Sequence, residues 1–245
     1  MGLAIAGLAF RLQQKPTLYM VGDSTMHNNN RELWGWGTTI ADEFDLSKIN
    51  IVNSAMAGRS TRTFLKEGRW ARVDSMLKPG DYVIMGFGHN EGSRPDTTRG
   101  GYRGVLKGTG EDSVVLNWAK GPEVVHTYGW YLRKFIRDTK AKGATPIVVS
   151  MIPRREWDPS GKIVLANKDY GLWAKQVAEE EGVPFIDLNG ITAAKYDKMT
   201  RDEVFALFGK DHTHTNKAGA VINAQSFVEG LKMQPGVTLN NYLKQ

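Results

Sequence analysis

The sequence predicts an α/β fold with an open, mostly parallel sheet of about five strands. Three observations predict it. Short apolar runs recur that are rich in β-branched residues and apolar on both faces, as parallel strands covered on two sides must be. Helix-period segments lie between them, and glycines stand where those segments should stop.

The elements follow in order. Leu18-Tyr19-Met20-Val21 reads as the first strand and Ile49-Asn50-Ile51-Val52 as the second. Tyr82-Val83-Ile84-Met85 is the third, Ile147-Val148-Val149 the fourth and Pro184-Phe185-Ile186 the fifth. Trp130 to Arg137 carries apolar residues at helical spacing and runs on to a stop at Gly143. Leu172 to Ala178 does the same and stops at Gly182. Asn216 is a plausible N-cap for a last helix through Phe227 to Leu231. Residues 92 to 123 break the rhythm: they hold seven glycines and one brief apolar run, Val114-Val115-Leu116. A stretch that long without clear structure reads as a binding element or mobile segment, with room for a hairpin.

The 245 residues fit one domain, residues 15 to 245, behind an N-terminal segment of residues 1 to 14. Within that segment Gly2 to Phe10 has the length of a signal-peptide apolar core, but lacks a basic lead and a small-x-small cleavage site. A clipped signal, a misassigned start and a short packing segment all stay open. Lys plus Arg is 32 against 26 Asp plus Glu, a net charge of +6 that is too mild and dispersed to argue for nucleic acid. With no cysteine, disulfides, thiolate catalysis and Cys-ligated zinc are all excluded. No apolar run is long enough to span a bilayer, so no membrane partner is expected.

Open α/β sheets place ligands at the carboxyl ends of their strands, near the point where strand order reverses. The segments there are Gly22-Asp23-Ser24-Thr25, Asn53 to Ser60, and Gly86-Phe87-Gly88-His89-Asn90-Glu91. A fourth, Asp211-His212-Thr213-His214, precedes the last helix. Together they supply an acyl-transfer site. Ser24, on a tight turn expected to open a helix, is the candidate nucleophile, and a serine needs a base within hydrogen-bond reach. His214 can take the hydroxyl proton through one ring nitrogen while Asp211 holds the other. The amides of Ser24 and Gly58 and the side-chain amide of Asn90 can meet the developing oxyanion. Asp23 is expected to organise the turn.

The four blocks, in this order and each at a strand end, resemble those of the SGNH (GDSL-like) hydrolases from Leu18 to about Leu231. Val21-Gly22-Asp23-Ser24-Thr25, Ala57-Gly58-Arg59-Ser60, Gly88-His89-Asn90 and Asp211-His212-Thr213-His214-Thr215 most resemble rhamnogalacturonan acetylesterases. The resemblance implies a three-layer α/β/α flavodoxin-like fold and a serine esterase that deacetylates a plant cell-wall polysaccharide or its oligosaccharides. It implies a secreted or periplasmic location and no cofactor or metal. It assigns Ser24, Asp211 and His214 to the triad, and Ser24, Gly58 and Asn90 to the oxyanion hole. Glu91 departs from it, because an Asp is expected there.

Other readings compete. Asp211, His212 and His214 could ligate a metal, but no second carboxylate–histidine motif accompanies them, and that reading leaves the Ser24 and Asn90 segments unexplained. The role of His212 is open. Another acyl group, or a catalytically silent carbohydrate-binding role on the same scaffold, also remains. Trp157, after the fourth strand, could stack on a sugar ring or simply pack. The segment from Gly58 to Arg72 holds Arg59, Arg62, Lys66, Arg69 and Arg72 against Glu67 alone. A solvated helix face is the default for such a run, and a cradle for uronate carboxylates, with Arg59 and Arg62 binding substrate, is the functional alternative.

Overall fold

All five predicted runs become strands of one sheet. The computed structural model describes residues 15 to 28 and 32 to 245, so the signal-like stretch Gly2 to Phe10 lies outside the described residues. In chain order the elements are β1 (Thr17–Gly22), α1 (Trp36–Thr39), β2 (Asn50–Asn53), α2 (Thr61–Lys66), α3 (Arg69–Met76), β3 (Tyr82–Gly86), β4 (Ser113–Trp118) and β5 (Gly121–His126). After them come α4 (Tyr128–Ala141), β6 (Thr145–Val149), α5 (Asp169–Glu180), β7 (Phe185–Ile186), α6 (Leu188–Tyr196), α7 (Arg201–Phe205) and α8 (Lys217–Lys232). Strands β2, β1, β3, β6 and β7 lie side by side in that order, all parallel.

Alternation along the strands builds the layers, because successive side chains point to opposite faces. Leu18 and Met20 of β1, Ile84 of β3 and Ile147 of β6 pack with Trp36, Ile40, Phe227 and Leu231 on one face. Tyr19, Val21, Val83, Met85 and Val148 pack with Phe64, Trp70, Leu132, Phe135 and Val177 on the other. Helices α1, α6 and α8 therefore cover one side, and α2 to α5 the other. The expected helix stops hold: α4 and α5 each end just before a glycine of positive φ, Gly143 and Gly182. Asn216 caps α8, its side chain accepting the Gly219 N–H at 3.2 Å. No helix among the described residues is long and apolar enough to cross a membrane.

Residues 92 to 123 are ordered by packing. They carry a single 3-10 turn, Gly101–Arg103, and then β4, which holds the Val114-Val115-Leu116 run and pairs antiparallel with β5. Arg62 of α2 fastens this segment to the body of the protein. Its Nη1 donates to the carbonyls of Gly101 and Gly104 at 3.0 and 2.9 Å, while Nε and Nη2 grip both oxygens of Glu123 at 2.9 and 2.8 Å. Burial works against the Glu123 charge, but Arg62 and Lys66 outweigh it and hold the carboxyl down at about 2. Sequence order reverses between β1 and β3, and the carboxyl ends of those two strands frame the site.

Candidate active site

The chain leaves β1 at Gly22 and turns at once. Asp23, almost wholly buried, shapes the turn: its Oδ1 accepts both the Thr25 N–H and the Thr25 hydroxyl at 2.8 Å. Its backbone carbonyl accepts the N–H groups of Met26 and His27. One expectation fails here. Among the described residues no helix opens behind Ser24, because the turn ends after a few residues and the next described helix, α1, begins at Trp36. The hydroxyl is therefore held by a turn rather than by a helix N-terminus.

The base comes from the other end of the chain. The loop ahead of α8 is closed by the Phe208–Thr215 bridge and by hydrogen bonds from the Gly209 N–H to the His214 carbonyl and from the Asn216 N–H to the Leu207 carbonyl. It is tied to the nucleophile's side by the Trp34 N–H donating to the Thr215 carbonyl. So placed, His214 Nε2 stands 2.7 Å from Ser24 Oγ, and its Nδ1 stands 2.8 Å from Asp211 Oδ2. Asp211 Oδ1 accepts the backbone N–H groups of Thr213 and His214, each at 2.7 Å. Partial burial opposes the charge, but these bonds outweigh it and hold the Asp211 carboxyl at about 2. Asp211 is thus an anion throughout the physiological range, able to fix the ring and balance an imidazolium.

Two loops supply donors. Gly58 has φ +73°, a conformation glycine adopts without strain. Its N–H, like that of Ser24, has no hydrogen-bond acceptor among the described residues. The Asn90 amide is held from both ends: Oδ1 accepts from Arg103 Nη1 at 2.8 Å, and Nδ2 donates to the Arg59 carbonyl at 3.0 Å. One Nδ2 hydrogen remains uncommitted. Glu91 joins the two loops from beneath. Its Oε1 accepts the Thr61 N–H at 2.8 Å and its Oε2 the Asn90 N–H at 2.9 Å. Burial, with the Asp23 charge adding to it, pushes the Glu91 carboxyl up to about 8. Its neighbour His89 is pushed the other way, down to about 4, because burial disfavours the charged ring.

The more distant candidates fare differently. Arg62 is only 1% exposed and already holds Glu123, so the expectation that it grips a substrate carboxylate gives way to the anchoring role above. Arg59 is partly committed, donating to Glu67 at 2.9 Å and to the Ala57 carbonyl at 3.0 Å. Trp157 stacks on Phe205 at 5.8 Å between ring centres, with the Arg201 guanidinium 5.1 Å from its ring, so it packs within a cluster. His212 turns from the triad to Glu156, 3.5 Å away. Among the described residues no group of three or more His, Cys, Asp and Glu side chains is arranged to hold a metal ion. Sequence reasoning missed Arg103, which belongs to no motif. The one signal was the glycine density around it, which marks close backbone packing.

The arrangement is a hydroxyl in contact with a base, a carboxylate behind the base, and unclaimed N–H donors nearby. It can add a serine oxygen to a carbonyl and stabilise the resulting oxyanion. Comparison with known proteins places the chain among ester hydrolases. The pattern of the GDSL-like Lipase/Acylhydrolase family matches residues 20–222. The chain is 32% identical over 227 residues to a rhamnogalacturonan acetylesterase of Emericella nidulans, covering 93% of this chain and 89% of the relative. It is 28% identical over 222 residues to the probable rhamnogalacturonan acetylesterase YesY of Bacillus subtilis, covering 88% and 92%. Among solved structures, Bacillus subtilis YxiM superposes with a TM-score of 0.74 at 26% identity, over 90% of this chain but only 57% of that one. The acetylxylan esterase Axe2 of Geobacillus stearothermophilus shares the fold, with a TM-score of 0.60 at 19% identity over 88% of this chain and 94% of Axe2.

Proposed function

Since the chain belongs to the GDSL-like lipase/acylhydrolase family and is a carboxylic ester hydrolase, we propose that it removes O-acetyl groups from a plant cell-wall polysaccharide, rhamnogalacturonan before others. The observation that carries the reading is the Ser24–His214–Asp211 relay with its 2.7 and 2.8 Å contacts. The choice of polymer is supported by the rhamnogalacturonan acetylesterases this chain is similar to along most of its length. A polymer of that size is met outside the cytoplasm, which is where we place the enzyme.

In this mechanism Ser24 Oγ attacks the acetyl carbonyl carbon and passes its proton to His214 Nε2. Asp211 stabilises the imidazolium through Nδ1. The carbonyl oxygen, now an oxyanion, is met by the Ser24 and Gly58 N–H groups and the free Nδ2 hydrogen of Asn90. As the tetrahedral intermediate collapses, His214 returns the proton to the departing sugar oxygen, leaving acetyl-Ser24. Water then attacks the acetyl carbon and gives a proton to His214 Nε2; the bond from that carbon to Ser24 Oγ breaks, His214 returns the proton to Ser24 Oγ, and acetate leaves.

The test is acetate release from acetylated rhamnogalacturonan and acetylated xylan by the wild type and by Ser24→Ala. Release from rhamnogalacturonan exceeding that from xylan, and falling by about 10⁴-fold or more in the variant, is the expected result. Release that survives the substitution refutes the serine mechanism. A preference for xylan refutes the choice of polymer while leaving the esterase reading intact.

A further inference from the structure

We infer that Arg103 is a positioning residue for the reaction: it fixes which end of the Asn90 side-chain amide faces the reacting carbonyl. The inference rests on the oxyanion role proposed for Asn90 and adds to it a device outside the four sequence blocks.

A carboxamide is nearly symmetric in shape and opposite in function at its two ends. Facing an oxyanion, the NH₂ stabilises and the oxygen repels. What decides between them is what each end meets on its other side. At Asn90 the two neighbours are unambiguous. The Arg103 guanidinium can only donate and the Arg59 carbonyl can only accept. The observed orientation satisfies both, with Oδ1 on Arg103 at 2.8 Å and Nδ2 on the Arg59 carbonyl at 3.0 Å. A flipped amide would set N–H against N–H and oxygen against oxygen. Arg103 makes the stronger of the two bonds, because its donor is charged. It also lies beside the second donor, since a Cβ built on Gly58 would sit 3.9 Å from its Nη1.

The arginine is itself held. It ends the 3-10 turn Gly101–Arg103, and the carbonyls of Gly101 and Gly104 are the two that Arg62 Nη1 grips. Gly104 must be a glycine, because a Cβ there would meet the Ser93 carbonyl oxygen at 2.1 Å. The glycine-rich segment thus delivers one guanidinium to the rear of the oxyanion hole.

The test is a double-mutant cycle read as kcat and KM on the small neutral ester 4-nitrophenyl acetate. Both acylation and deacylation pass through an oxyanion, so kcat reports on it whichever step limits. Arg103→Met should lower kcat by about 10- to 100-fold, less than the ~10²–10³-fold cost of losing an oxyanion donor outright, and leave KM essentially unchanged. Arg103→Lys, which can still donate, should recover part of the loss and also guards against a misfolded Met variant. In the Asn90→Ala background Arg103→Met should cost nothing further. An equal cost in both backgrounds, or an effect confined to KM, overturns the inference. If Asn90→Ala is slow but Arg103→Met is not, the positioning role alone falls. If Asn90→Ala is not slow, the oxyanion assignment falls and takes this inference with it.

Discussion

Replacing Glu91 by Gln should remove a specific slope from the stability–pH curve. Glu91 is fully buried beneath the two donor loops, and its carboxyl is raised from the ordinary 4.5 to about 8. A carboxyl raised on folding holds its proton more tightly in the native state. Its stabilising effect is therefore complete below about pH 4.5 and lost as pH rises through about 8. Over that whole range the loss integrates to about 5 kcal/mol. His89 masks the lower part. Its ring is depressed from 6.5 to about 4, so its contribution grows with pH across that interval, by about 3 kcal/mol in total. Between pH 6.5 and 8 Glu91 acts without that opposition, and its share is about 2 kcal/mol. For a chain of this size that corresponds to roughly 4–8 °C of thermal midpoint. The assay is thermal or urea unfolding of the wild type and Glu91→Gln at pH 6.5 and pH 8. The variant can be less stable at both, because an amide nitrogen cannot accept from a backbone N–H, so the reading is the difference between the two slopes. Parallel curves would refute the reasoning and show that Glu91 is not a buried, proton-holding carboxyl.

Two further substitutions have defined outcomes. In Asp211→Asn the amide oxygen should keep the Thr213 and His214 N–H groups and present its NH₂ to His214 Nδ1. The ring proton is then forced onto Nε2, facing Ser24, and kcat should fall by about 10⁴-fold with the thermal midpoint little changed; a loss under tenfold refutes the reading in which Asp211 holds the ring proton on Nδ1 and leaves Nε2 free to take the proton of Ser24. Arg62→Met strips the carbonyls of Gly101 and Gly104 and one cation from Glu123, at a cost of about 3 kcal/mol, the low end for a broken buried pair because Lys66 stays. Limited proteolysis should then cut between residues 92 and 110 before the rest of the chain, and an unaltered cleavage pattern counts against the anchor.

How much of this was legible before any coordinates depends on the range of the interaction concerned. The central strands were readable because burial on both faces writes itself into a few adjacent residues, as in Leu18 to Val21, and the edge strand β2, largely exposed, was readable from its β-branched run alone. The contacts of Ser24 with His214 and of His214 with Asp211 were readable as a set because each of the three residues sits in a compact block at a strand end or loop. The basic run from Arg59 to Arg72 was not readable. Whether Arg62 faces solvent or a half-buried carboxylate depends on Glu123, which is 61 residues away, and no local pattern carries that information. Arg103 was hidden for the same reason. The missing helix behind Ser24 has a nearer cause: Asp23 closes the turn on itself through Thr25, so the Gly-Asp-Ser block forms the same tight turn whether or not a helix follows.

The Asp211–His214 pair is built almost entirely from its own short loop. Acceptor, ring and two backbone donors lie within three residues of one another, so their mutual geometry is set by a local turn and not by the sheet. The turn at Ser24 is tied outward as well as to itself, its Gly22 and Thr25 carbonyls accepting the N–H groups of Met56 and Trp36, each at 3.0 Å. The two pieces meet at the 2.7 Å contact from Ser24 Oγ to His214 Nε2, which joins residues 190 apart, and are held together beside it by the hydrogen bonds between Trp34 and Thr215. On the mechanism proposed above, a shift of the loop before α8 against the end of β1 should slow acyl transfer before it unfolds the chain.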